Sequence, residues 1–408
     1  MRTTGRGWTI LVATGLVAGL LASAANVAGA TPGVTRRSIK IGLHMPFTGA
    51  VPIPTESADK GARLLWRWLR AKDRPINGRH VRVVVKNDNY NPSQAVAVCK
   101  ELVEQDKVFL LSGMMGGSTS GNESMACARY AASVGVPYIA VGSFRLGVDR
   151  LPRYFSVTET MGMQARRLAD HLISDRGAKR DVNGILRFDT PMFKEAHNRF
   201  KTVMERRGAE IAYDRAVSRG AGTTEAQLVV EEMKAAGVEN VLVLTSPVWW
   251  LQVLQAANSR DYNPLWTGVG ITMTIGDTVP QTSCNNGDSI DGATFVTPMP
   301  SWAERNSFDP THDRALARIY PEEGNGDSFT WMGWATSQAM KDMLEQPGRR
   351  LTRERFARSV VGPTMRTGIL PPVRFTRRDH FGGNSTHLLK ARCSDERWHT
   401  VRRFVKDF

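Results

Sequence analysis

The stretch Ser38-Ile-Lys-Ile-Gly-Leu-His-Met-Pro-Phe-Thr-Gly49 decides how the rest of the chain is read. Ile39, Ile41 and Leu43 alternate onto one face, the two-residue period of a strand, and Pro46, Thr48 and Gly49 then break it into a loop. Ala58, Ala62, Leu65 and Leu69 follow at helical spacing. A strand, a loop and a helix in this order open an α/β sheet, and the loop leaving the carboxyl end of the first strand is where such a sheet holds a ligand.

The same rhythm continues outward. Residues 80–86 form a β-branched run, 92–105 a helix, 108–112 a buried run, 116–121 a polar Gly/Ser/Thr turn, 122–133 a helix and 136–141 a strand ending in Gly142-Ser143-Phe144. After 154–157 it restarts. Helices are expected at 161–176, 193–207, 225–236 and 249–258, alternating with strands at 184–188, 210–213, 241–244 and 264–268. Alternation of this kind implies parallel sheets with helices on both faces. The tail differs: extended connectors at 291–298 and 371–375, helices at 311–320 and 329–344, and two terminal strands at 387–391 and 398–404.

Ahead of this body, residues 1–30 have the parts of a secretory signal. Arg2 and Arg6 give a basic start, an apolar run spans 10–21, and Ala28-Gly29-Ala30 offers a small-residue cleavage site. The run is short and diluted with Gly and Thr, so cleavage is expected rather than retention as an anchor. No cysteine adjoins the site, so no lipoprotein anchor is expected, and the chain is placed in the periplasm or at the exterior of the cell envelope. At 408 residues there is room for two domains. The formal net charge of +15 gives a mild preference for anions. Basic residues such as Arg63, Arg166, Arg206 and Arg353 are scattered, with no basic tail and no nucleic-acid motif, so nucleic acid is not expected as a partner.

Four cysteines, Cys99, Cys127, Cys284 and Cys393, show no C-x-x-C and no zinc spacing. In an exported chain an even count points to disulfides, and four cysteines allow three pairings between which spacing does not choose. No metal or cofactor is expected, nor is catalysis. Gly117-Ser-Thr-Ser-Gly121 has Thr119 where a nucleophile elbow needs Ser. His171, His197 and His312 have no evident partner in sequence, and H-E-x-x-H, Walker A and G-x-G-x-x-G are all absent. An exported hydrolase is the enzyme alternative.

Several segments together resemble a known family. They are 41–49, the run Asn87-Asp-Asn-Tyr-Asn-Pro-Ser-Gln-Ala-Val96, the turn 117–120, Gly135-Val-Pro-Tyr-Ile139, and Asp291-Gly-Ala-Thr-Phe-Val296. In this order and spacing the chain resembles the type I solute-binding proteins of ABC importers, of the branched-chain amino acid and amide class. The resemblance implies two doubly wound parallel-sheet lobes joined by a three-stranded hinge, with crossings near 155–158, 291–298 and 370–375. Lobe one would be 38–156 with 299–370, and lobe two 157–298 with 371–408. The cysteines then sort two and two, which supports Cys99–Cys127 and Cys284–Cys393. A small organic solute, amino acid-like, an amide or a carboxylate, would be captured between the lobes and delivered to a membrane permease and its ATPase by a monomeric binding protein. A sensor for a membrane signalling partner is the alternative.

The resemblance also places the site. Ser118 and Thr119, then Gly142, Ser143 and Phe144, follow strands of lobe one. Phe193, Ser246 and Trp249 follow strands of lobe two, with Met192 and Phe193 where the family often has Tyr-Gly. Ser118, Thr119 and Ser143 are expected to clamp a polar head, and Phe193 and Trp249 to cover a body, although Trp249 equally suits packing of its helix onto the sheet. Amino-acid-binding members place acids where Met161 and Gly270 stand here. A buried ammonium without a counter-charge is costly, so a neutral or anionic solute is expected, with Glu159 near enough to reopen that question.

Overall fold

The structure is a computed structural model that describes Met1 and residues 31–406, except 50–52, 114–121, 143–144, 146, 179, 272, 288–289 and 325. The leader and candidate residues Ser118, Thr119, Ser143 and Phe144 therefore lie outside the described residues.

The first unit runs β1 (Ser38–Met45), α1 (Thr55–Ala71), β2 (His80–Asn87), α2 (Pro92–Glu104), β3 (Leu110–Gly113), α3 (Asn122–Ser133), β4 (Tyr138–Ala140) and β5 (Tyr154–Ser156). Its strands form one parallel sheet in the order β2-β1-β3-β4-β5. Because β1 lies inside the sheet with helices on both sides, it is buried on both faces from Ile41 onward, not only along the alternating positions. Asn91 starts α2 by accepting the backbone N–H groups of Ser93 and Gln94, with Pro92 at the first helical position, where its missing N–H costs nothing.

The second unit repeats the plan: α4 (Met161–Asp175), β6 (Asn183–Phe188), α5 (Pro191–Arg206), β7 (Ile211–Val217), α6 (Thr223–Ala235), β8 (Asn240–Leu244), α7 (Pro247–Asn258), β9 (Leu265–Val269), α8 (Thr278–Cys284) and β10 (Thr294–Thr297). The order β7-β6-β8-β9-β10 is parallel throughout and has the same topology as the first sheet. The connector expected at 291–298 thus contributes a strand.

The tail returns to the first unit with α9 (Arg305–Phe308), α10 (Thr311–Ile319), α11 (Ser328–Glu345), α12 (Arg353–Ser359) and the short antiparallel pair β11 (Thr364–Met365) and β12 (Val373–Arg374). It then adds β13 (Thr386–Arg392) and β14 (Arg397–Val405) antiparallel to the edge of the second sheet. Helix α11 crosses α1 at backbone contact. A Cβ on Gly333 would fall 2.3 Å from the Gly61 carbonyl carbon, so any larger residue would force the helices apart.

Two large apolar cores result. Ile39, Leu43, Phe155, Trp331 and Phe375 belong to one, and Leu168, Ile185, Trp250, Phe295 and Leu389 to the other. The chain passes between them at 156–160, at 297–299 and near 382–386. The third passage lies later than the expected 370–375, because Val373 and Phe375 pack into the first core and Phe381 bridges Ser156. The passages are polar and buried: Ser156, Thr158, Thr160, Thr297 and Ser385 are all at most 1% exposed. The first and third touch, since a Cβ on Gly383 would sit 2.5 Å from the Glu159 nitrogen. Disulfides join Cys99 to Cys127, tying α2 to α3, and Cys284 to Cys393, tying the end of α8 to the turn between β13 and β14. Among the described residues no helix is long and apolar enough to cross a membrane.

Candidate functional site: a cleft between two sheet edges

In both sheets the strand order reverses at one point, between β1 and β3 and between β6 and β8. Loops leaving the carboxyl ends of strands at such a point diverge and leave a crevice. The two crevices face each other. Arg219, after β7, stacks over the Tyr90 ring beyond β2 at 5.0 Å and donates a hydrogen bond to its hydroxyl. The Arg145 N–H donates to Glu195 on α5 (2.7 Å), whose other oxygen accepts the Thr160 hydroxyl (2.8 Å).

The first edge is polar. His44, at the end of β1, donates from Nδ1 to Asp88 (2.7 Å) and accepts the Tyr138 hydroxyl at Nε2 (2.8 Å). All three are buried, and burial raises the Tyr138 phenol well above its usual range. The trio locks the ends of β1, β2 and β4 together. His44 also lies beside Cys99 and Cys127, but those sulfurs are spent in a disulfide and offer no thiolate to a metal. Asn87 accepts the N–H groups of Phe47 and Asn89 (both 3.0 Å) and donates to Thr48 (2.8 Å), which shapes the first loop. Glu123, on the first turn of α3, is 4% exposed, and one of its carboxylate oxygens has no hydrogen-bond partner among the described residues. Burial pushes its carboxyl up. Its own backbone N–H, Arg219 and His44 oppose the shift, and Asp88 adds to it.

The second edge is apolar. Met192 and Phe193 start α5 and are buried. Ser246 caps α7 by accepting the Trp249 N–H (3.3 Å). Trp249 is 3% exposed, packs 5.4 Å from Phe188 and donates its indole N–H to Gly222 (3.3 Å). Gly142 has a φ of +64°, a conformation glycine adopts at no steric cost, and donates its N–H to Thr158 in the first passage (2.7 Å). The predicted residues inside the described region thus stand at the two edges, each with a place in the fold itself.

Met161 and Gly270 come together: a Cβ on Gly270 would lie 3.2 Å from the Met161 methyl. Glu159 is 2% exposed and paired with Arg167 at 3.1 Å, and Arg167 also donates to the Asn384 carbonyl (2.8 Å), so this acid is engaged inside the hinge. The three histidines read as unpartnered do have carboxylates: His171 with Asp175 (2.9 Å), His197 with Asp214 (2.9 Å) and His312 with Asp313 (2.7 Å). These contacts were invisible in sequence for His197, whose partner arrives from a neighbouring strand, but i,i+4 spacing could have found the first. Among the described residues no Ser, Thr or Cys hydroxyl or thiol hydrogen-bonds to His197 or His312. Sequence reading also missed His44, Asp88, Tyr90, Glu123 and Arg219. Only the polar run 87–91 carried a signal for two of them.

Solved structures of similar fold span nearly the whole chain. A solute-binding protein of an ABC transporter from Rhodopseudomonas palustris BisB5, in complex with 3,4-dihydroxybenzoic acid, is 17% identical at a TM-score of 0.73, covering 91% of this chain and 98% of its own. The fatty acid ABC transporter substrate-binding protein from Thermomonospora curvata is 18% identical at 0.75, covering 93% and 95%. The branched-chain amino acid transporter substrate-binding protein LivJ from Streptococcus pneumoniae, in complex with isoleucine, is 18% identical at 0.71, covering 90% and 100%. No curated protein matches the sequence. The family model described as periplasmic binding protein matches residues 38–396, and the chain belongs to that family.

Proposed function

We propose that this protein is the extracytoplasmic solute-binding component of an ABC importer, exported by the leader at 1–30 and working as a monomer without catalysis. It captures a small organic solute between its lobes and delivers it to the permease and ATPase. The observation that carries this reading is the meeting of the two switch-point crevices, with Arg219 and Tyr90 in contact from opposite sides. A solute that touches both edges stabilises the closed form by its differential affinity for it. Lobe one is 38–156 with the returning tail to about 381, and lobe two is 157–298 with the terminal strands.

The solute is neutral or anionic with an aromatic or aliphatic body. Met161 and Gly270 are uncharged, and Glu159 is already engaged by Arg167 inside the hinge, so lobe two offers an ammonium no free counter-charge there. Ser118, Thr119 and Ser143 hold the head, beside Gly142, whose N–H is taken by Thr158. Phe144, Phe193, Ser246 and Trp249 line the rest. The unpartnered oxygen of Glu123 suits a solute that also carries a hydroxyl donor. Relatives of the same fold in complex with 3,4-dihydroxybenzoic acid and 4-hydroxybenzoate support this class, while LivJ holds isoleucine on the same scaffold.

A thermal-shift screen over amino acids, amides, hydroxylated and plain benzoates and short-chain or fatty carboxylates tests it. The expected result is stabilisation by one of the acids or amides. Micromolar leucine or valine binding with no response to the others would overturn the solute class, and no response to any class would count against solute capture.

A further inference from the structure

We propose that Glu195 is a positioning residue of the cleft. It belongs to lobe two, yet it holds the end of the lobe-one loop expected to grip the solute's head, and it does so only when the lobes meet. The inference rests on the reading that the lobes close on a solute, and adds to it the side chain that couples closure to the site.

Glu195 is fixed first within its own lobe. It lies near the start of α5, and its Oε1 accepts the Thr160 hydroxyl (2.8 Å). Thr160 is itself set as the cap of α4, where its hydroxyl accepts the Met163 N–H (3.2 Å). Gly162 makes the room: a Cβ there would fall 2.5 Å from Oε1 and 2.6 Å from Cγ of Glu195. The carboxylate is thus pinned against the start of α4, with Oε2 turned to the other lobe, where it accepts the Arg145 N–H (2.7 Å).

Arg145 is fixed within lobe one. Its guanidinium pairs with Asp379 (2.8 Å) and stacks over Phe381 (4.5 Å), both from the returning tail. In sequence it ends the loop Gly142-Ser143-Phe144 that follows β4. That loop starts from Gly142, whose N–H donates to Thr158 (2.7 Å). Val157, next to Thr158, donates to the Ala140 carbonyl in β4 (2.9 Å), so this first anchor travels with the first sheet. The second anchor, Glu195, comes from the opposite lobe and is lost when the lobes part. Closure therefore fixes both ends of the loop, and opening releases one. A loop held in its binding arrangement no longer loses affinity to its other arrangements. A carboxylate suits the task, because its bond to a backbone N–H is charge-assisted and both residues are half-buried.

Hydrogen exchange of the mature protein reads the Arg145 amide directly. Glu195→Ala is expected to speed its exchange about tenfold, by loss of one charge-assisted bond. Glu195→Gln keeps an oxygen that accepts an N–H, and its exchange is expected to stay within about twofold of wild type. Gly162→Ala leaves Glu195 in the chain but takes its room, and is expected to follow Glu195→Ala. The Val157 amide, bonded inside lobe one, is expected to stay protected in every variant, which separates loss of this bond from loss of the fold. Equal Arg145 exchange in wild type and Glu195→Ala, or Glu195→Gln as fast as Glu195→Ala, would overturn the proposal. The thermal-shift panel of amino acids, amides, benzoates and carboxylates, repeated on Glu195→Ala, tests the coupling to the site. A panel member that stabilises wild type is expected to stabilise this variant less, and equal stabilisation would overturn the coupling. No response of wild type to any member, with the Arg145 result as expected, would count against solute capture and leave the bond between the lobes standing.

Discussion

The two edges of the cleft are built from the same topology and opposite chemistry. On lobe one His44, Asp88, Tyr138 and Glu123 bring buried polar groups to the strand ends. On lobe two Met192, Phe193 and Trp249 bring apolar mass that is continuous with the core. Sheet order alone places a crevice at each switch point, and the side chains that happen to end the strands decide what each crevice can hold. The polar edge is held by directed hydrogen bonds among its own groups, and the apolar edge by packing against the core.

If that division is right, truncating the apolar edge costs stability and truncating the polar edge costs less. Trp249→Ala opens a cavity in the second core and is expected to destabilise by about 3–5 kcal/mol. Tyr138→Phe removes one hydroxyl and leaves His44 Nε2 unsatisfied, for about 1–3 kcal/mol. Urea unfolding of both variants checks the ranking, and a Tyr138→Phe loss as large as that of Trp249→Ala would erase the contrast.

A second contrast concerns the disulfides. Cys284–Cys393 closes a separation of 109 residues and Cys99–Cys127 one of 28. With loop entropy the main term, removing the longer loop's bond costs about 1 kcal/mol more than removing the shorter one's. Paired Cys→Ala variants in calorimetry test this, and the reverse order would place the stabilisation in native packing instead.

Between the edges lies the hinge acid. Burial pushes the Glu159 carboxyl up from its usual 4.5 to about 7, against the pull of Arg167. Folded protein therefore holds this proton where the unfolded chain has lost it, so its contribution falls as pH rises from 4.5 to 7 and stays low above. The opposite sign holds for His387, buried in β13, which donates Nε2–H to the Ile369 carbonyl. Burial lowers it to about 4, so its contribution is lost as pH falls from 6.5 toward 4. Melting temperature across this range should lose its neutral-side decline in Glu159→Gln, relative to wild type. An unchanged slope would mean that Glu159 is ionised in the folded hinge throughout.

The smallest effect is expected at the contact between the edges. Arg219→Ala removes a stacking interaction of about 0.5–1 kcal/mol at an exposed site, so solute affinity should fall only a few-fold, through the closed population rather than through contacts. A loss of a hundredfold would make Arg219 a direct solute ligand.

Much of the fold was legible in sequence. The alternation of Ile39, Ile41 and Leu43 marked β1, and the restart after residue 156 marked the second unit. Sorting the cysteines by lobe, once the family resemblance had supplied the lobes, gave the disulfide pairs that form. The third passage was misplaced because Pro371 and Pro372 look like a free connector, whereas Val373 pairs back onto Met365 inside the first lobe. Helices α8 and α12 escaped notice because each is seven residues long, too short to show a period. The site was less legible. His44, Asp88 and Tyr138 are brought together by strand order from positions far apart in the chain, and Arg219 meets Tyr90 only when two separate sheets face each other.

Closure of the cleft is the step that joins these parts, and small-angle X-ray scattering with and without the saturating solute found by thermal shift measures it directly. The expected result is a smaller radius of gyration on binding, approaching the value calculated for this structure with its Arg219–Tyr90 contact made. An unchanged radius at saturation would contradict a cleft that closes on its solute.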